Sequence, residues 1–116
     1  MMEKISIDEF KKVEIRVGEI RSAEKVLDAD KLLRLVVNFG TEERQVISGI
    51  AAYFPDLTTL VGKHCLFVTN LEYRTIRGLE SQAMIMAAGG ELIPDGSGTE
   101  PLYLFETHAE LGSRVR

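Results

Sequence analysis

Val13-Glu14-Ile15-Arg16-Val17-Gly18-Glu19-Ile20-Arg21 opens by alternating apolar and polar side chains. A period of two is the pattern of a strand with one face in a core and the other in water. Gly18 interrupts the run, and a glycine inside a strand predicts a bulge or a sharp bend. Upstream lies Ile5-Ser6-Ile7-Asp8-Glu9-Phe10, with Asp8 or Ser6 placed to cap one short helical turn. Downstream, Asp28-Ala29-Asp30-Lys31 reads as a turn. Leu32 to Phe39 is then a strong strand closed by Gly40. Glu42-Glu43 forms a tip, and Arg44-Gln45-Val46-Ile47-Ser48 returns as the hairpin partner.

Gly49 to Phe54 predicts a short helix stopped by Pro55. Leu60-Val61-Gly62 leads into a strand from His64 to Asn70. Residues 71–81 read as a polar, basic loop, and Gln82 to Ala88 as a fifth strand. The expected strands lie near residues 13–25, 32–39, 44–48, 63–70 and 82–88. Five short strands with one helix between the third and fourth are the layout of the all-β OB-fold barrel. Residues 89–100 are rich in glycine and acid, with Asp95-Gly96-Ser97-Gly98 as a turn. Leu102-Tyr103-Leu104-Phe105 is too apolar to hang in water, so it packs on this barrel or on a second copy. The expected organisation is one domain over 1–116, with the barrel at 7–88 and a C-terminal packing or dimer extension at 89–116.

A chain of 116 residues is one ordinary domain, and 45% hydrophobic residues are enough for a real core. No apolar run approaches the roughly 20 residues that span a bilayer. Met1-Met2-Glu3-Lys4 lacks the layout of a signal peptide, and a lone Cys65 excludes an internal disulfide. These features predict a cytoplasmic protein without a membrane partner. The net charge of −4 argues against indiscriminate nucleic-acid binding. Its distribution is uneven: residues 1–88 carry 12 basic and 13 acidic side chains, while Glu91, Asp95, Glu100, Glu106 and Glu110 fill the tail. A site for RNA is therefore a local cationic patch of modest affinity.

No catalytic residue, metal or cofactor is expected. His64 and Cys65 are neighbours on a strand and point to opposite faces, and His108 has no ligand spacing to either. They read as a surface imidazole and a core thiol. Val46-Ile47-Ser48-Gly49 lacks the glycine that precedes the serine of a nucleophile elbow. The carboxylates are scattered through turns. The positive candidates are Lys31, Arg34, Arg44, Arg74 and Arg77. Arg74-Thr75-Ile76-Arg77-Gly78 falls between the fourth and fifth strands, a ligand-binding rim of OB barrels, where arginine forks onto phosphate oxygens. Aromatic residues are 7%, with Phe39 and Phe67 in core contexts. Single-strand binders need exposed stacking platforms, whereas a folded RNA read by shape and backbone needs fewer.

Asp8-Glu9-Phe10-Lys11-Lys12-Val13, Arg16-Val17-Gly18, Ala29 to Leu35, Arg44 to Ile50, Leu60-Val61-Gly62-Lys63, Asn70-Leu71 and Arg74 to Gly78 together carry a family likeness. The chain resembles the tRNA-binding domain at the C-terminus of bacterial methionyl-tRNA synthetases and in stand-alone tRNA-binding proteins. The resemblance runs from Ile7 to Ala88, with a looser echo to Arg116. It implies an OB barrel, a homodimer, recognition of folded tRNA by shape, and a synthetase catalytic region as a partner. It places Lys31, Arg34, Asn70, Arg74, Arg77, Ser81 and Met84 on the RNA face. The family usually has Ser-Glu-Gly-Met where this chain has Ser81-Gln82-Ala83-Met84, and often a basic residue at Thr75. CsaA-type export-related chaperones share the barrel and bind unfolded polypeptide, which is the alternative function. The chain has neither signature motif of a class I synthetase core and is too short to hold one, so it is not expected to charge tRNA by itself.

Overall fold

The computed structural model describes residues 2–116; Met1, part of the expected 1–116 domain and of the N-terminal reading, lies outside them. A single helical turn, α1 (Ile7–Phe10), opens the fold, and Ser6 is its cap, accepting a hydrogen bond from the Glu9 amide. Five strands then form one antiparallel sheet: β1 (Ile15–Val26), β2 (Ala29–Asn38), β3 (Glu43–Ser48), β4 (His64–Val68) and, after an excursion, β7 (Met84–Ile85). Their spatial order is β3-β2-β1-β4-β7. The excursion is a separate hairpin of β5 (Arg74–Ile76) and β6 (Leu79–Ser81). A third small sheet pairs β8 (Ala87–Gly89) with β9 (Leu102–Leu104).

This is the expected all-β, OB-type fold, with the word barrel used loosely. The sheet does not close through a continuous ladder. Its seam, between β3 and the end of β6, is held by single hydrogen bonds. The Gln82 amide donates to the Gln45 carbonyl at 2.8 Å, the Gln45 amide to Gln82 Oε1 at 2.9 Å, and the Ile47 amide to Ser81 Oγ at 3.0 Å. The core inside comprises Ile20, Leu33, Leu35, Val37, Phe39, Val46, Leu60, Cys65 and Phe67, all essentially without exposure. Phe39 and Phe67 meet edge to face at 5.4 Å, a favourable aromatic geometry.

Several local expectations are corrected. The turn after β1 is Leu27-Asp28, not residues 28–31, because Ala29 already pairs with Val26 and Asp28 takes the left-handed φ of 60°. Asp30, Lys31 and Leu32 then lie between the partners of Val26 and Lys25, so β2 bulges there and Lys31 stands exposed. The bulge of β1 is at Arg21, not Gly18: Ile20 and Ser22 pair with the adjacent Val37 and Val36, whereas Gly18 pairs regularly with Cys65. Gly18 is there for space, since a Cβ would come 2.5 Å from Val37 Cγ1 and 2.7 Å from Phe39 Cε1. The helix after β3 is two short 3₁₀ turns, Ala51–Tyr53 and Leu57–Thr59, separated by Pro55. Residues 71–81 contain the β5–β6 hairpin, and the expected strand 82–88 splits into β7 and β8.

The tail runs back over the sheet. The Leu66 amide donates to the Phe105 carbonyl, and the Thr107 amide to the His64 carbonyl. Further along, the Val17 amide donates to the Ser113 carbonyl and the Val115 amide to the Ile15 carbonyl. Leu102 and Leu104 pack on the core, while Tyr103 and Phe105 stay 66% and 44% exposed. Arg114 Nη2 donates to the Lys11 carbonyl at 2.8 Å, so the C-terminal residues sit beside α1. No helix among the described residues is long and apolar enough to cross a membrane.

Candidate nucleic-acid interface

The β5–β6 hairpin organises the cationic surface. Ile76 pairs with Leu79, which leaves Arg77-Gly78 as a two-residue turn. Both residues have positive φ, 52° and 80°, the signature of a type I′ hairpin. The turn holds Arg77 at the tip, and Arg74 opens β5 as an exposed residue. Around this hairpin lie two depressions that share Ile76. In one, Arg77 and Lys31 line the same shallow groove with Asp28 and Asp30. In the other, Arg74, Ser81 and Met84 line a small pocket with Leu71 and Glu72.

The seven residues singled out by sequence thus divide. Lys31, Arg74, Arg77 and Met84 gather around one hairpin with exposed side chains. Arg34 lies on β2 and is tethered, donating to Gln45 Oε1 at 2.6 Å and Glu24 Oε1 at 2.8 Å. Asn70, though exposed, and the buried Ser81 both have hydrogen-bond partners within the fold. Asn70 Oδ1 accepts from the Glu14 amide at 2.8 Å, and its Nδ2 donates to the Lys12 carbonyl at 2.6 Å. Ser81 is buried, with its hydroxyl between Ile47 and Ala83. The first fixes the base of the 71–73 segment and the second closes the seam.

Arg44 is also committed to the fold. Its guanidinium donates to the Thr69 carbonyl at 2.6 Å and the Glu42 carboxylate at 2.7 Å, and stacks over Phe39. Gln82, a departure from the family pattern, bridges the Gln45 amide and the Glu80 carboxylate. Sequence reading passed over Ile76, Leu71, Glu72 and the half-exposed Tyr73, all beside the arginines. For Leu71, Tyr73 and Ile76 the available signal was an apolar or aromatic residue inside an otherwise polar loop, and Glu72 offered none. Elsewhere, burial and the nearby Glu106 charge push the Cys65 thiol up to about 11, which suits a core group and not a nucleophile. Among the described residues no cluster of three or more His, Cys, Asp or Glu side chains could hold a metal ion.

Residues 15–114 match the family model described as "Putative tRNA binding domain". The chain belongs to this tRNA-binding domain family. A methionine–tRNA ligase from Methanosphaerula palustris is 46% identical over 101 residues, a match that takes in 85% of this chain and 15% of the ligase. The tRNA-binding domain therefore spans only a small part of that relative. A solved structure of a MetRS-related protein from Pyrococcus horikoshii superimposes with a TM-score of 0.85 at 38% identity, covering 99% of this chain and 100% of that one. The CsaA chaperone protein from Picrophilus torridus gives a TM-score of 0.80 at 23% identity, covering 97% of this chain and 100% of that one. At that identity the likeness is one of fold alone.

Proposed function

We propose that this domain binds folded tRNA, without catalysis of its own, through the cationic surface around the β5–β6 hairpin. One observation carries the reading: in a member of a tRNA-binding family, Lys31, Arg74 and Arg77 converge on depressions joined by Ile76. Their chemistry is charge-assisted hydrogen bonding to phosphate, which positions an RNA without reading its sequence. Arg34 adds a partly neutralised charge, Asn70 and Ser81 hold the surface in place, and Met84 offers apolar contact. Asp28 and Asp30 beside Lys31 keep the local field modest. The setting is the cytoplasm, and the working partner is the catalytic region of a methionyl-tRNA synthetase. A homodimer covers the exposed Tyr103 and Phe105; a stable interface of that kind buries on the order of 2,000 Å².

A filter-binding comparison of folded tRNA, single-stranded RNA and an unfolded polypeptide tests this. Folded tRNA is expected to bind best, with log affinity falling against log salt at a slope of roughly −3 to −5 for three to five phosphate contacts. Replacing Arg74 and Arg77 together by Ala lowers affinity for all tRNAs about equally. A folded double variant that binds as the parent does moves the site elsewhere. Preference for the unfolded polypeptide, with no salt-sensitive tRNA binding, replaces this reading with the chaperone one.

A further inference from the structure

We infer that the pocket beside Arg74 receives one unstacked nucleobase bearing an exocyclic amine, an inference that rests on the tRNA reading above. The pocket measures about 90 Å³. Where a single water needs roughly 10–15 Å³ by the same kind of measure, this is room for one flat group and not for a helix or a length of peptide. Its walls are Leu71, Ile76 and Met84, apolar surfaces suited to the faces of a ring. Its polar lining is the smaller part and comes from Ser48, Glu72, Arg74 and Ser81, the last with its hydroxyl already committed to Ile47 and Ala83. Arg74 supplies a cation for the adjoining phosphate, and Glu72 and Ser48 supply acceptors.

Glu72 decides the ligand. A carboxylate on a surface meant only for phosphate is a liability, because it repels the anion that Arg74, Arg77 and Lys31 attract. The same carboxylate is an asset if it accepts hydrogen bonds from a base edge. Carboxylates accept from amino groups such as cytosine N4. Guanine and adenine present exocyclic amines too, whereas uracil has none. Unpaired bases in loops and bulges are the parts of a folded RNA that can be splayed out in this way. The local cations Lys31, Arg74 and Arg77 then give attachment, and the pocket gives a preference for where on the RNA the domain sits.

The test uses the full chain and unfractionated tRNA across a salt series. Glu72→Ala removes the negative charge together with both acceptor oxygens, so a purely electrostatic surface binds tRNA more tightly after the change. The pocket reading expects the opposite, a loss of roughly fivefold or more, as for one good base contact, with an unchanged salt slope. Ala83 lines the same pocket, and Ala83→Leu, which fills it, is expected to weaken binding likewise. Because that variant can fail to fold, chemical probing of tRNA bound to the parent supplies a third readout. An unpaired G, A or C is expected to lose reactivity at its Watson–Crick edge. Glu72→Ala binding as tightly as the parent, or tighter, overturns the inference, as does protection of uracil alone or of no base. A parent without salt-sensitive tRNA binding removes the proposed function itself, and the pocket with it.

Discussion

Gly18 and Cys65 sit opposite one another on β1 and β4, and each shows how one side chain is constrained by the far side of the sheet. Gly18 faces Val37 and Phe39, so Gly18→Ala forces a methyl into a closed space. Overpacking of this kind costs about 1–3 kcal/mol, and a urea titration should show the unfolding free energy falling by that amount, with a lower midpoint and an unchanged slope. Cys65 is expected to resist thiol reagents at pH 8 until the chain unfolds. Its linkage sign follows from the raised pKa. The buried thiol stays protonated while the unfolded one ionises near 9, so stability declines as pH rises from about 9 towards 11, and denaturation at stepped pH checks it. Alternation alone made the opposite facing of His64 and Cys65 legible. The reason for Gly18 was not, because its neighbours arrive from a strand some twenty residues away. Composition likewise does not show that Asn70 ties the 71–73 segment to Lys12 and Glu14, or that Ser81 closes the seam to Ile47.

At the scale of the element, the β5–β6 hairpin depends on two left-handed residues in succession. Arg77 at φ 52° is an unusual occupant of a position that Asn or Gly fills more readily. Gly78→Val is expected to strain the turn by about 1–2 kcal/mol and to weaken tRNA binding, while the main sheet melts nearly as before. Arg77→Asn keeps the conformation and removes the charge, so comparing the two by filter binding separates shape from charge. The hairpin escaped sequence reading for the same reason. Its strands are three residues each, too short to show a period, and an arginine disguises the turn. The long strands β1 to β3 carried enough alternation to be read, and their errors are confined to ends and bulges.

For the whole molecule, the tail matters more than its composition indicates. Its carbonyls and amides occupy the edges that β1 and β4 would otherwise leave open. Deleting residues 101–116 is expected to lower stability and to expose a strand edge to aggregation. Sedimentation and thermal melting of the truncated and full chains check this. The apolar run at 102–105 announced that something would be covered. Which strands it would pair with depended on contacts across the fold that no local pattern records.

The bond from Arg114 to the Lys11 carbonyl sets the segment after α1 beside the tail. A short linker between the segments at residues 11 and 114 would join them without stretching any strand. New ends could then be opened in the Asp95–Gly98 turn, which is exposed and tied only by local hydrogen bonds. The sequence order of this domain is thus one of several that would wind into the same sheet, and the domain is suited to being rewired as a circular permutant or spliced into a surface loop of another protein.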